Sequence, residues 1–405
     1  MEQAIKLAAQ PSNTRSAYRI TSIDLLRGLV MIIMALDHTR DLFHKDAFTG
    51  NPLDLSTTTP ILFFTRWITH FCAPVFVFLS GTSVWLQSRR KTKSELGLFL
   101  IKRGLWLIFL EATLISFGIL FDIHFGMLAM QTIWAIGMSM LILGLLSWLP
   151  FTAILALGII IVFGHDALDF AEKTHGPVYP FWWNFIHRPS FYPLGGGHTL
   201  GFFYPFLPWT GLMMLGYCFG KIFTQIDDAA KRKLVLLWLG TGIILFMIML
   251  RVMDVYGDPG HWSSQKNIVF TFFSFINYQK YPPSLLYMCA TIGPAILFLA
   301  LVGERQPAVA RFITVYGRVP LFYYVLHFYL LHLISAICFL SRGHSFAEGI
   351  NGVPGMPFKF IIPGEGYSLG IVYLIWISVV LALYPLCKWY SDYKLTHKQW
   401  WLSYL

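Results

Sequence analysis

The chain has 405 residues, of which 56% are hydrophobic and only 12% charged. Soluble domains carry about 25% charged residues, so a water-soluble fold is excluded and an integral, multi-pass membrane protein is expected. The formal net charge of +10 does not signal nucleic acid. Lys and Arg fall in short blocks between apolar runs, which is how orientation is written in membrane chains.

Residues 1–20, MEQAIKLAAQPSNTRSAYRI, hold no apolar run of the signal-peptide kind and are expected to be an uncleaved cytoplasmic segment. Segments of about 17 to 25 apolar residues cross a hydrocarbon core of roughly 30 Å as helices. Ten are predicted, at 23–43, 61–86, 98–121, 133–149, 151–163, 204–223, 234–252, 285–302, 320–340 and 369–386, with a tight hairpin broken at Pro150. An eleventh is added if either short run, 269–276 or 360–363, crosses. The fold class is therefore all-α, a polytopic membrane bundle occupying residues 21–390, followed by a tail over 391–405. That tail, ending KLTHKQWWLSYL, reads as an interfacial amphipathic anchor.

Basic blocks at Arg89, Arg90, Lys91 and Lys93, at Lys221 with Lys231, Arg232 and Lys233, and at Arg305, Arg311 and Arg318 alternate with longer connections at 164–201, 251–283 and 341–367. With Lys6, Arg15 and Arg19 before the first helix and Lys388, Lys394 and Lys398 after the last, this places both termini in the cytoplasm. The longer connections form an outer vestibule. Cys72, Cys218, Cys289, Cys338 and Cys387 lie in or at the ends of apolar segments without Cys-x-x-Cys spacing, so neither a disulfide nor a metal is expected.

Ionisable residues inside a span cost at least about 2.5 kcal/mol each and point to function. In the first helix Arg27 and His38 are eleven residues apart, three turns plus about 20°, so they share one face and lie roughly 16 Å apart along the axis. Arg27 can hold an anionic donor at one end, or snorkel, or pair with Asp24 at i, i+3. His38 can act as a base near neutral pH or pack as a bonded histidine. Asp37 faces about 100° away from it, whereas Asp41, at i+3, is placed to partner it.

The segment RITSIDLLRGLVMIIMALDHTRDLF, followed by FTRWITHFCAPVFVFLSG, resembles bacterial relatives of the heparan-α-glucosaminide N-acetyltransferase catalytic domain. The spacing Arg27-x10-His38 also resembles the arginine and histidine pair of the wider transmembrane acyltransferase group, which includes the acyltransferase-3 family. Further blocks fit the same pattern: QTIWAIGMSM at 131–140, YPFLPWTGLMMLGY at 204–217, KYPPSL at 280–285, YGRVPLFYYVLH at 316–327 and the terminal WWLSYL. The resemblance implies transfer of an acyl group, usually acetyl, from cytoplasmic acyl-CoA to a hydroxyl or amine of an acceptor, often a sugar, across the membrane. The lysosomal enzyme places its catalytic histidine further on, in the first lumenal loop. Here His38, as general base or as acyl carrier, is the best match to the wider group, and His44 is the second candidate.

Around this pair, Arg66 and His70 at i, i+4 share a helix face and are expected to contact acceptor or thioester. Glu111, deep in the third helix, needs a partner such as Arg27 or a water-filled cavity. Trp134, one turn after Gln131, would line the acetyl-CoA channel, and Arg318 would bind its phosphates. Tyr323, Tyr324 and His327 form a polar stripe on the ninth helix, which also holds His332, and Tyr324 and His327 are expected to contact the acceptor. Gly195–Gly196–Gly197 before His198 lacks the residues of a phosphate loop and reads as a flexible loop or a lid. Pro282–Pro283 reads as a helix-entry device. The competing reading is a secondary transporter of a small polar solute or protons, against which stands the missing internal repeat. The expected partners are acetyl-CoA, a small-molecule or glycan acceptor and the lipid bilayer of a bacterial inner membrane. Homo-oligomerisation is compatible with all of this.

Overall fold

A computed structural model describes residues 20–175, 179–302 and 307–404. Most of the expected cytoplasmic segment at 1–20, and Arg305 of the third basic block, lie outside the described residues. In chain order the helices are α1 Thr21–Phe43, α2 Pro60–Trp67, α3 Cys72–Ser88, α4 Lys93–Leu110, α5 Ser116–Leu120, α6 Thr132–Leu145, α7 Phe151–Gly164, α8 Ala167–His175, α9 Phe181–Ile186 and α10 Phe206–Phe219. They continue as α11 Ile222–Gln225, α12 Ala229–Met253, α13 Ile268–Ile276, α14 Leu285–Leu301, α15 Ala308–Arg318, α16 Pro320–Ser341, α17 Phe346–Asn351 and α18 Leu369–Thr396.

The bundle is helical as expected, but the count of about ten spanning helices is overturned. Among the described residues four helical stretches are long and apolar enough to cross a membrane: Pro60–Ser88, Ala229–Met253, Pro320–Ser341 and Leu369–Thr396. The reasons are length and charge. The apolar helices α6, α7 and α10 have 14 residues each. Such a helix is about 21 Å long, short of a core of roughly 30 Å. α1 has the length but carries Asp24, Arg27, Asp37, Arg40 and Asp41. α4 ends in a π-turn over Glu111–Ile115. The alternation over ten helices that placed both termini in the cytoplasm falls with the count.

Sequence signals do fix the element ends. Thr59 accepts from the Leu62 N–H ahead of Pro60, Thr92 and Glu95 form a capping box on α4, and Ser284, directly after Pro282–Pro283, caps α14. α12 shows the opposite face of the same physics. Only 11% of its apolar window is buried, with Trp238 and Leu245 turned outward, as suits a helix against lipid.

α1 is the axis of the bundle and packs on α3, α14, α15, α16 and α18. Against α15 the two backbones nearly touch. A Cβ on Gly317 would lie 1.8 Å from the Asp24 carbonyl oxygen, and one on Gly28 would lie 2.0 Å from that of Ile313.

A small sheet sits at the other end of α1, its strands in the order β1 Met127–Met130, β3 His198–Phe202, β2 Ser190–Gly195. β1 runs parallel to β3, and β2 pairs antiparallel with it. Gly195, Gly196 and Gly197 turn the hairpin with φ of 83°, 61° and 83°, a region that glycine enters without steric cost. The long connection 251–283 is organised by Arg251, which is 1% exposed. Its guanidinium donates to the carbonyls of Phe275, Gly260, Ser274 and Asn277 at 2.6–3.2 Å.

The Gly317 contact predicts that Gly317→Ala lowers stability by about 3 kcal/mol, since the obstruction is backbone and cannot rotate away. A thermal melt of the detergent-solubilised variant checks this; an unchanged melt would mean that α15 can shift off α1.

Candidate active site

The last turns of α1 carry the charges that organise the site. Asp37 is ion-paired on one oxygen to Arg40, at 3.1 Å, and on the other to Arg66 of α2. Arg40 also pairs with Asp41. The quartet is neutral as a whole, which is what makes the burial of Asp37 and Arg40 affordable in a bundle interior. Its geometry corrects one expectation. Asp41 is occupied by Arg40 and is not the partner of His38.

That partner is His327 of α16. Nδ1 of His38 lies 2.7 Å from Nε2 of His327, and Nδ1 of His327 lies 3.1 Å from the Tyr323 carbonyl oxygen. A carbonyl only accepts, so Nδ1 of His327 carries hydrogen and, in the neutral ring, Nε2 is a lone pair. His38 must then donate from Nδ1, which leaves its own Nε2 as a bare lone pair. The His38 ring stacks on Phe328 with centroids 4.2 Å apart, and meets Tyr324 edge-on at 6.4 Å. Tautomer and orientation are thus both set by α16.

His38 lines a cavity of about 690 Å³, of the size that holds a small molecule. Asp37, Asp41, Arg66 and Tyr324 line it too. All three long connections reach it, through Thr199 at the β-hairpin, through Lys280 and Tyr281, and through the 355–359 segment. Gly197 also faces it, so the glycine turn is part of the wall.

Other expected residues lie elsewhere. His44 ends α1 beside a separate pocket of about 250 Å³ shared with Arg40 and Asp46. His70 is 2% exposed and packs edge-on against Tyr287. It parts from Arg66 because a 3₁₀ turn, Ile68–Phe71, interrupts the second helix. At about 120° per residue, positions i and i+4 no longer share a face. Glu111 is fully buried in the π-turn and accepts from the Gln131 N–H at 3.0 Å, holding the start of α6 rather than meeting Arg27. Trp134 packs on Phe185 and Phe202 under the hairpin. It is therefore at the opposite end of α1 from Arg27. His332 stacks on Phe121, centroids 4.4 Å apart, and donates to the Lys359 carbonyl at 2.9 Å, tying the 355–359 segment down.

At the far end of α1, Arg27 pairs with Asp24 at 3.2 Å and donates to Ser83 Oγ at 2.9 Å and to the Gly317 carbonyl at 3.4 Å. Arg318 follows Gly317 directly and has a buried Nε without a hydrogen-bond acceptor among the described residues. Arg103 of α4 lies close enough to feel the charge of Arg27. Arg27 and His38 thus stand at opposite ends of α1, the first bonded to Asp24, Ser83 and Gly317 and the second to His327.

Sequence reasoning missed Lys280, Tyr281 and Asp122 as lining residues. Lys280 and Tyr281 stand in a proline-rich connection, where a lysine reads as solvated. Only the KYPPSL block hinted otherwise.

Among the described residues one group with metal-ligand chemistry stands outside the cavity: Asp169, Glu172 and His187, with donor atoms within 4.8 Å of one another. Glu172 is already engaged there by Trp183 at 2.7 Å, His187 at 2.9 Å and Arg188 at 3.2 Å. Burial first, then the carboxylates of Asp166 and Glu172, push Asp169 up to about 6.

The long apolar helices make this chain an integral, multi-pass membrane protein, and the cavity gives it a concave site with a histidine in its wall. Residues 19–251 match the family described as heparan-alpha-glucosaminide N-acetyltransferase, catalytic. That is more than half of the chain, and the chain belongs to this family, whose membership brings enzymatic acyl transfer in general terms. The match runs from just before α1 to Arg251 in the last turn of α12 and so includes Arg27, Asp37, His38 and Arg66; Lys280, Tyr324 and His327 lie beyond it. No curated protein matches the chain significantly.

The raised Asp169 yields a prediction with a definite sign. Its folded-state value lies above the ordinary one, so ionising it costs stability at neutral pH, and the cost disappears as pH falls towards the unfolded value. Asp169→Asn should raise the melting temperature at about pH 7.5, with the gain shrinking to nothing near pH 4. Melts of both proteins across that range check it; equal melts throughout would mean that solvent screens the group.

Proposed function

We propose that this protein is a membrane-embedded acetyltransferase. It moves an acetyl group from cytoplasmic acetyl-CoA to a hydroxyl or amine of a sugar acceptor across a bacterial cytoplasmic membrane, with His38 as general base. The observation that carries this reading is the 2.7 Å contact of His38 Nδ1 with His327 Nε2 at the wall of the cavity, which assigns the lone pair of His38 to Nε2.

In this reading Nε2 takes the proton of the acceptor hydroxyl or amine as that atom attacks the acyl carbon. The imidazolium so formed keeps its Nδ1–H on His327, a bond strengthened by the new charge. As the carbon–sulfur bond breaks, His38 returns the proton to sulfur, and the ring ends neutral with the acylated acceptor and free CoA as products. His327 touches no reacting atom and is a positioning residue. Donor binding is assigned to the other end of α1. There Arg27, which is paired with Asp24, and Arg318 offer guanidinium groups to the diphosphate of the donor.

Acetyl-CoA consumption by the purified protein with a panel of amino sugars and neutral sugars tests the reading. His38→Ala should lower transfer by about 10²-fold or more, the usual worth of a positioned base. A variant retaining most of the rate would remove His38 from the chemistry. His327→Leu should cost about tenfold in kcat with KM for donor unchanged, and His327→Gln, whose amide oxygen can still accept, should recover part of it. Equal losses in both variants would instead mark His327 as a packing residue.

Arg27→Ala should weaken CoA binding about tenfold, measured by calorimetry alongside a thermal melt, since Arg27 also ties α1 to α3 and α15. Unchanged affinity in a folded variant would leave Arg27 with its structural bonds alone.

A further inference from the structure

A second cavity lies behind the charge quartet, and Arg40 is the partition. Its Nη2 reaches Asp37 and Asp41, whereas Nε and Nη1 are buried and meet no hydrogen-bond acceptor among the described residues. Arg40 is 5% exposed and lines the pocket of about 250 Å³ beside His44, not the central cavity. Buried N–H groups without acceptors are unfavourable, most of all on a charged group. His44 adds a donor to the same wall. Its Nδ1 accepts the Asp46 N–H at 3.4 Å, which places the hydrogen of the neutral ring on Nε2. The side chain of Asp46 is exposed, so water screens its carboxylate.

An apolar groove of about 500 Å³ lies in line with this pocket along the crevice between α1 and α2. Leu36 in the groove and Arg40 in the pocket are one turn apart on one face of α1, and on α2 Ile61 belongs to the groove and Leu62 to the pocket. The polar atoms of the groove are engaged within the protein. The hydroxyls of Thr65 and Tyr373 bond each other, and Trp67 Nε1 donates to the Ile276 carbonyl at 2.9 Å. The groove is walled by the opening turns of two long apolar stretches, Pro60–Ser88 and Leu369–Thr396, and a bridge from His44 to Tyr367 holds the second of these against the end of α1. It therefore runs into hydrocarbon from the level of the pocket.

Donors at one end and an apolar channel at the other match the outline of an amphiphile. We propose that the crevice between α1 and α2 holds a glycerophospholipid, its phosphate on Arg40 in the pocket and one acyl chain in the groove. Phosphate suits the head because its oxygens pair with guanidinium N–H groups. The bound head braces the far side of Arg40, and through it the ion pairs that orient α1. The inference is independent of acyl transfer.

The test uses the full chain in nonionic detergent micelles, with pyrene-labelled phosphatidylglycerol as the bound reporter. Unlabelled phosphatidylglycerol should displace it at about a tenth of the mole fraction that a diacylglycerol with the same chains requires, the worth of one charge-assisted contact. Glycerol 3-phosphate and inorganic phosphate, a head without a chain, should displace nothing at millimolar concentration. Arg40→Lys should weaken the reporter about tenfold. Ile61→Asn, at a position 65% exposed, should also weaken it by putting an amide in the groove. Thermal melts show whether each variant is folded; should Arg40→Lys unfold, Ile61→Asn and the competitors still decide. A reporter that does not bind, or a diacylglycerol that competes as well as phosphatidylglycerol, overturns the site. Displacement by either soluble phosphate shows an anion pocket and overturns the lipid. Undiminished binding in folded Arg40→Lys or in Ile61→Asn overturns it as well.

Discussion

A carboxylate held between two guanidiniums fixes the geometry of this bundle. Asp37 reaches Arg40 one turn along its own helix and Arg66 on the neighbouring one. Inside a membrane bundle a buried carboxylate has no inexpensive alternative to such partners. The ion pair therefore sets the rotation of α1 about its axis. With Asp37 turned to α2, the next side chain is carried about 100° round, to α16 and the cavity. With Asp37 held between the two arginines, His38 is presented to His327.

The cavity is built from distant pieces of chain. α1 supplies the histidine, α16 the ring that orients it, and three long connections supply the remaining wall. Each connection has its own fastening. The hairpin is turned on glycines, the 251–283 stretch is gathered by the buried Arg251, and the 355–359 segment is tied through His332. Buried polar groups in these places act as fasteners, and their chemistry is spent on backbone carbonyls. This explains why ionisable residues that look alike in the sequence divide into those that face the cavity and those that do not.

Much of the arrangement along α1 was legible in the sequence, because a long helix obeys a strict period. Arg27 and His38 fall at opposite ends of one rod as the spacing requires, and Tyr324 faces the cavity as expected. Helix length was less legible, since apolar composition extends beyond the hydrogen-bonded segment: α6 stops at Leu145 and α10 begins only at Phe206. Local changes of helix type were invisible. The 3₁₀ turn after Trp67 separates His70 from Arg66, and the π-turn at Glu111 points that carboxylate at a backbone N–H. Long-range partners were also out of reach. His327 was read as an acceptor contact, and its pairing with His38 depends on how α16 packs against α1. Lys280 was passed over because a lysine between loops looks solvated until the loops are folded over a cavity.

The unbroken course of α1 from Thr21 to Phe43 has a metric consequence. Hydrogen bonds along a helix leave it little freedom to stretch, so the cationic end and the histidine are kept roughly 16 Å apart whatever the side chains around them do. Any molecule that touches both is measured against that rod. A donor with a shorter arm would stop before the imidazole, and one with a longer arm would have to fold. If the donor binds as proposed, the helix would act as a gauge, selecting by reach among compounds that share the same head group.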